Sequence, residues 1–478
     1  MVRHGAGRPA SGVVRRRRFP TGLAMALAVA TLVAVSGGGP AFALSPPQVD
    51  PGALNRSAPV APPEPTEQRT LCARPVAVTA ASQPSPAQQM MNLEEAWRFS
   101  RGAGQRVAVI DTGVTPHPRL PRLRGGGDYV SGGDGLADCD AHGTLVAGLI
   151  AAASSPDDAF SGVAPDASII SIRQSSSAFD AKDRRRDDAD PAVGGGYGSV
   201  TTLANAVVRA VDLGATVINI SEVACSPAGA RPADRSLGAA VRYAFDRNVV
   251  VVVAAGNLSQ GSACAEQNPP PLPGDPDGWG SVQTVASPAW FSPYVLAVGS
   301  VDAGTGAPSS FSLHGPWVDV AAPGTGIISL DSTPRSSSLV NAQRSNSGPL
   351  PLLGTSFSTP FVAGTVALVR ARYPGLSAGE VMDRIVRTAH APGPGHDQAI
   401  GHGVIDTVAA LTAELPEGPL ADPEVPAAIA APAVAPAPDH SPRNVALVGV
   451  GLAAAVVVAV LALSLPHRRV RRLDPDEY

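Results

Sequence analysis

The chain has 478 residues, with 44% hydrophobic residues, 16% charged residues and a formal net charge of −4. This length allows two or three average domains, or one large domain with attached segments, and the composition allows a sizeable core. The small acidic net charge gives no indication of binding to nucleic acid, so no nucleic-acid partner is predicted.

Residues 1–43 have the pattern of an export signal. Arg15–Arg18 form a basic region, Leu23–Val35 form a short apolar run, and Ala41–Ala43 provide the small residues that favour cleavage after position 43. The arginines weakly resemble a twin-arginine signal, but an ordinary basic region is favoured. An uncleaved membrane anchor is disfavoured because the apolar run is short.

Residues 44–89 are rich in Pro, Ala and Ser and show little hydrophobic periodicity. This composition predicts an extended arm on the surface. The following stretch, MMNLEEAWRFS at 90–100, predicts a short helix that opens the next region.

Short apolar strands alternate with helices through residues 90–412. The first strand pattern is RVAVID at 106–111, and it is followed by a helix pattern at 141–153 and a strand pattern at 168–173. The alternation continues to a helix pattern at 377–389. It favours an α/β fold with a doubly wound parallel sheet that is flanked by helices on both faces.

Two segments interrupt this alternation. Residues 174–198 are highly charged and then glycine-rich, and residues 331–350 are rich in serine. We predict that both are surface loops, because clusters of small and polar residues between periodic segments are typical of loops.

The C-terminal part has the composition of a membrane anchor. Residues 413–443 form a Pro/Ala-rich linker, and residues 444–465 form an apolar run that is long enough to cross a bilayer of about 30 Å. Four arginines follow in residues 466–478, which predicts a cytoplasmic tail and places everything from about Leu44 to Arg443 outside the cytoplasm. A buried core helix is the alternative, but the position after the linker and the flanking arginines disfavour it.

The exported part contains four cysteines, and this even number in an oxidising compartment predicts two disulfides. They are Cys72, Cys139, Cys225 and Cys264, which leaves three pairings open. The CxxC spacing of zinc sites is absent from the sequence, and neither a metal nor another cofactor is predicted.

The segment GTSFSTPFVAG at 354–364 places small hydroxyl residues directly before an apolar helix pattern. If Ser356 lies in the first helical turn, the free N–H groups and the helix dipole lie behind it. An isolated serine here would be interpreted as an ordinary N-cap.

Two further segments favour a nucleophile over a cap. VAVIDTGV at 107–114 ends a buried strand at Asp111, and DAHGTLVAG at 140–148 begins a helix at His142. Each has a simple alternative, as a turn cap and as a helix N-cap. Together with Ser356, they supply the attacking hydroxyl, the base and the carboxylate that orients the base.

A fourth segment, VVVVVAAGN at 249–257, ends an apolar strand at Asn257. A side-chain amide in this position can donate a hydrogen bond to the oxyanion of a tetrahedral intermediate. A turn asparagine after Gly256 is the alternative interpretation.

These four segments, in the chain order Asp, His, Ser, resemble the signature segments of the subtilisin-like serine proteases over about residues 90–412. The resemblance implies the subtilisin fold and hydrolysis of peptide bonds through an acyl-enzyme. It implies that Asp111, His142 and Ser356 are catalytic and that Asn257 belongs to the oxyanion hole.

The order of segments also resembles the mycosins, which are membrane-anchored subtilases of type VII secretion systems. This resemblance implies a protein or peptide substrate and partners among the membrane components of the secretion system. It also implies an alternative function, in which the protein stabilises the membrane complex and its protease activity is dispensable. For the cysteines, it implies the pairs Cys72–Cys139 and Cys225–Cys264.

The resemblance implies that residues 221–223 bind the substrate backbone. Many subtilases have Ser-Leu-Gly in this segment, whereas this chain has Ser221, Glu222 and Val223. Valine in place of the glycine that opens the primary specificity pocket favours small side chains and predicts narrow specificity.

Overall fold

A computed structural model of the chain describes residues 44–78, 82–183, 190–230, 233–272, 274–275, 277–345, 348–393, 395–415 and 441–464. The chain divides into two units, one up to Leu415 and one from Pro416 onward. The predicted signal at 1–43, the tail at 466–478 and most of the linker lie outside the described residues.

The strands are β1 Thr66–Gln68, β2 Pro75–Ala77, β3 Arg106–Asp111, β4 Leu123–Asp128, β5 Ser168–Arg173, β6 Phe179–Ala181, β7 Val217–Ile220, β8 Ala224–Pro227, β9 Val250–Ala254, β10 Thr284–Ser287, β11 Leu296–Val301, β12 Val320–Pro323, β13 Ser329–Leu330, β14 Leu339–Ser345 and β15 Gly348–Pro351. The α-helices are α1 Pro86–Met90, α2 Leu93–Ala96, α3 His142–Ala151, α4 Val200–Asp212, α5 Arg235–Asp246, α6 Thr355–Arg372, α7 Ala378–Arg387, α8 Thr407–Thr412 and α9 Ser441–Ser464.

Seven parallel strands form the central sheet in the order β12-β11-β9-β7-β3-β5-β4. Its two faces are covered by separate apolar clusters. Val107 and Val109 point into one cluster, with residues of α3 and α6, whereas Ala108 and Ile110 point into the other, with residues of α4 and α5. Strands buried on both faces read as continuous apolar runs, which is why RVAVID and VVVVVA are recognisable in the sequence. The predicted parallel α/β sheet is confirmed.

Strand β3 is the first strand of the central sheet in chain order, and later strands lie on both sides of it. The sheet continues to β5 and β4 on one side and to β7, β9, β11 and β12 on the other. In open parallel sheets, binding sites lie beyond the carboxyl ends of the strands at such a reversal of strand order. Asp111 is the last residue of β3, so it lies at this edge.

The arm contains more regular structure than the sequence predicts. Strand β1 pairs with β6, and β2 pairs with β14, both antiparallel. These partners lie in the two segments predicted as surface loops, 174–198 and 331–350, so that prediction is wrong for β6 and β14. Strands of three residues have no recognisable periodicity, and their hydrogen bonds come from segments distant in sequence.

Helix α6 begins earlier than its apolar run. It starts at Thr355, with Pro360 inside it, and its residues from Thr355 to Val369 are buried. A proline at this depth removes the N–H that would bond to the carbonyl of Ser356.

In the last helix, α9, side chains are described from Ala446 to Leu461 and at Leu463. Within the described residues, no helix meets the length and hydrophobicity that a membrane crossing requires. The span predicted at 444–465 is not confirmed.

Candidate active site

The carboxylate of Asp111 and the imidazole of His142 form a close hydrogen-bonded pair. His142 Nδ1 lies 2.7 Å from Asp111 Oδ1, and the Asp111 side chain is fully buried whereas that of His142 is 23% exposed. Because a carboxylate only accepts, Nδ1 carries the proton and donates it. This arrangement leaves Nε2 as the ring nitrogen that can take a proton from another group.

Helix α3 brings His142 to Asp111 through a short polar network. The backbone N–H of Thr112 donates to Asp111 Oδ1 over 2.8 Å. The Thr112 hydroxyl donates to Asp138 and accepts from the N–H of Gly143, each over 2.9 Å. The end of β3 and the start of α3 are thus fixed to each other directly behind the Asp111–His142 pair.

Ser356 occupies the second position of α6 and is 7% exposed. The next residue, Phe357, packs against the imidazole of His142 with ring centroids 5.3 Å apart. The serine is therefore held at a buried helix start that directly adjoins the histidine.

Asn257 follows β9 and is oriented by the same helix start. Its Oδ1 accepts hydrogen bonds from the backbone N–H and the hydroxyl of Thr355, at 2.9 and 3.1 Å. Since both of these bonds use the carbonyl oxygen, the amide nitrogen Nδ2 is the end that is available as a donor.

Gly354 marks a point at which the reactive groups converge. A Cβ atom built on Gly354 would lie 3.0 Å from Ser356 Oγ, 3.3 Å from Asn257 Nδ2 and 3.7 Å from the backbone nitrogen of Ser356. One small volume is thus within reach of a hydroxyl, an amide donor and a backbone N–H of the first helical turn. A carbonyl group of a substrate fits this combination.

The electrostatics favour a protonated imidazole near neutral pH. Burial by itself lowers the pKa of His142, but the carboxyl groups of Asp111, Glu222 and Asp138 outweigh burial and raise this pKa to about 9. Burial also raises the pKa of Asp138 to about 7, against the hydrogen bonds from Thr144 and Thr112.

The predicted substrate-binding residues lie directly after β7. Ser221 Oγ accepts a hydrogen bond from Asn219 over 2.8 Å, and Glu222 Oε2 accepts one from the hydroxyl of Ser175. A Cβ atom on Gly256 would lie 3.5 Å from Val223 Cγ2, so the valine packs beside the residue before Asn257.

Each disulfide has one cysteine within three residues of a candidate site residue, Cys139 before His142 and Cys225 after Val223. Cys72 in the arm is bonded to Cys139, three residues before His142, and Cys225 in β8 is bonded to Cys264. Among the described residues, no cluster of three or more His, Cys, Asp or Glu side chains is arranged to hold a metal ion.

Sequence reasoning missed the residues that support the site. Asp138 and Ser175 have no motif of their own, although an acid four residues before His142 is visible in DCDAHG. Their importance depends on contacts between α3, β3 and the segment after β5, which only the folded chain brings together.

Comparisons with known proteins give one consistent result. The sequence matches the subtilase family over residues 102–403. Mycosin-1 of Mycobacterium tuberculosis is 48% identical over 439 residues, which cover 90% of this chain and 96% of that protein. The crystal structure of MycP1 from the ESX-1 type VII secretion system has a TM-score of 0.74 and 47% identity, and the match covers 79% of this chain and 98% of that one. A chain in the structure of an intact ESX-5 inner membrane complex has a TM-score of 0.74 and 44% identity, covering 88% and 100%.

The pKa of His142 predicts a strong pH dependence for the reaction of Ser356 with a fluorophosphonate probe. If His142 is the base, it must be neutral to take the proton of Ser356, so the rate should rise roughly tenfold per pH unit below about pH 9 and level off above it. The measurement is the labelling rate of the purified protein between about pH 6 and 10. A rate that does not change over this range would contradict the role of His142 as the base.

The convergence at Gly354 predicts that Gly354→Ala inactivates the site. Its φ of 148° is unfavourable for a side chain, and the added methyl group would occupy the volume between Ser356 and Asn257. Labelling of Ser356 should fall by about 100-fold or more. The matched control is Gly375→Ala, where an added Cβ meets no atom within 4 Å. Normal labelling of Gly354→Ala would show that this volume is not used.

Proposed function

The chain belongs to the mycosins, the subtilase-family serine proteases of type VII secretion systems, and from this premise we propose that it cleaves a narrow set of peptide substrates through Asp111, His142 and Ser356. The observation that carries the proposal is the small volume beside Gly354 that lies within reach of both Ser356 Oγ and Asn257 Nδ2. The hydrogen bond between His142 and Asp111 supports the same assignment.

The proposed mechanism follows from the hydrogen bonds that His142 and Asn257 already form, because these bonds leave Nε2 and Nδ2 available. Nδ1 of His142 donates to Asp111, so Nε2 takes the proton when Ser356 Oγ attacks the carbonyl carbon. The negative charge that develops on the carbonyl oxygen is stabilised by Asn257 Nδ2 and by the backbone N–H of Ser356. The imidazolium then gives its proton to the leaving amine. Water next attacks the acyl-enzyme while Nε2 takes a proton from it, and the imidazolium returns this proton to Ser356 Oγ as the acid product leaves.

Narrow specificity is supported by the substrate segment. Val223 packs beside Gly256, and its branched side chain reduces the depth of the substrate pocket next to Asn257. Large side chains of a substrate would have to displace it.

A second candidate function is structural. The likeness to a chain of the ESX-5 inner membrane complex favours a role in which the protein stabilises a secretion complex. The two functions are compatible, because the three described atoms nearest a Cβ built on Gly354 belong to Ser356 and Asn257 and none belongs to the arm.

We further propose that residues 444–465 anchor the protein in the membrane, with the protease unit outside the cytoplasm and residues 466–478 inside. This apolar run contains no charged residue and is about 33 Å long as a helix. The arginines that follow it support the orientation.

Wild-type protein should react with a fluorophosphonate probe, and Ser356→Ala should not, because the probe forms its bond to the activated serine. Complementation of a deletion strain separates the two functions. Secretion that is lost with Ser356→Ala indicates that proteolysis is required, and secretion that is retained indicates a structural role. A folded wild-type protein that does not react would contradict the proposed catalysis.

Fractionation of cells tests the membrane anchor. The full chain should stay with the membranes after extraction with alkaline carbonate, and a chain that ends at Leu415 should be released, because it lacks the apolar run. Release of the full chain would rule out an integral anchor at 444–465.

A further inference from the structure

Glu222 is a carboxyl group fixed in the proposed substrate cleft. It lies between Ser221 and Val223, directly after β7, and the Ser175 hydroxyl donates to its Oε2. The backbone N–H of Ser175 is 3.5 Å from the carbonyl of Asp111, so one residue links Glu222 to the strand end that carries the catalytic carboxylate. The N–H of Gly194 donates to the carbonyl of Val223 and holds the segment from its other side.

The other carboxyl oxygen of Glu222 is available to a ligand. Among the described residues, Oε1 accepts no hydrogen bond, and neither oxygen forms an ion pair with a lysine or an arginine. Gly194 leaves room beside it, since a Cβ there would lie 3.4 Å from Oε1. This glycine has a φ of 66°, which disfavours other residues at the position.

The surroundings of Glu222 are strongly acidic. Asp111, Asp138 and Asp140 lie in the same site, and within the described part of the chain they are held by hydroxyl and N–H groups and by His142, not by lysine or arginine. Burial, then the charges of Asp111 and Asp140, raise the pKa of Glu222 to about 8, although Ser175 and His142 oppose the rise. A cation that enters the site would relieve this accumulation of negative charge.

Building on the proposed protease function, we propose that Glu222 is a specificity-determining residue that selects peptides with a lysine or arginine on the amino-terminal side of the scissile bond. The cationic side chain pairs with Oε1 while Ser175 keeps Oε2 in place. The resemblance to the subtilases implies that residues 221–223 flank the backbone of the bound peptide, so the cation enters as part of the substrate.

The preference for a cation should also depend on pH. Glu222 faces Asp111 and His142 at the strand ends, Asp140 before α3 and the Ser175 hydroxyl. As the pH rises through about 8, Glu222 becomes ionised and its attraction for a cation increases. At lower pH it is neutral, and the difference between charged and neutral substrates becomes smaller.

The test compares arginine with citrulline, a neutral residue of the same shape, at each position of a fluorogenic tetrapeptide library. For the wild type near pH 9, one position should favour arginine by about 10–100-fold in kcat/KM, the range for a hydrogen bond to a charged group. Glu222→Gln should reduce this ratio to about 1, and Glu222→Asp should restore part of it. Glu67→Gln, which removes an exposed carboxylate of the arm, should leave the ratio unchanged.

Labelling by a fluorophosphonate separates failure of this inference from failure of the protease function. If both the wild type and Glu222→Gln are labelled, Ser356 is reactive in both proteins. Cleavage without a preference for arginine, or a preference that persists in Glu222→Gln, would overturn the role of Glu222 and leave the protease function intact. Absence of both labelling and cleavage in the wild type would contradict the two proposals together.

Discussion

The structure depends on a sheet that is buried on both faces. Charged groups are disfavoured in the interior of its strands and collect where the strands end, because an unpaired buried charge is costly. Asp111 is the last residue of β3, and Asn257 and the segment from Ser221 to Val223 follow β9 and β7, so all of them lie at the carboxyl ends of strands. Burial of the sheet thus concentrates the chemistry at one edge.

The helices complete the site because they begin at that same edge. His142 is the first residue of α3, and Ser356 is the second residue of α6. The apolar core on the sheet face that α3 and α6 both cover fixes these helix starts, so small shifts in its packing change the positions of His142 and Ser356. The hydrogen bonds from Thr355 to Asn257 show this coupling most clearly, because they join one helix start to one strand end.

The sequence was sufficient for the parts of the site that are encoded locally. An apolar run followed by Asp111 or Asn257, and a helix that begins at His142, are visible in stretches of fewer than a dozen residues. The supporting contacts were not predictable in the same way, since Asp138, Ser175 and Gly194 act through segments far apart in the chain. The pairing of the arm with β6 and β14 was missed for the same reason, because β1, β2 and β6 have only three residues each and the partner of each arm strand lies far away in the sequence.

The bond between Cys72 and Cys139 has a consequence for the order of events during biogenesis. The two cysteines are 67 residues apart, and the loop that they close contains all of β3, including Asp111. Such a bond persists only in an oxidising compartment. If the protein is exported as proposed, the loop that contains Asp111 is closed only after translocation, and the newly made chain in the reducing cytoplasm lacks this constraint.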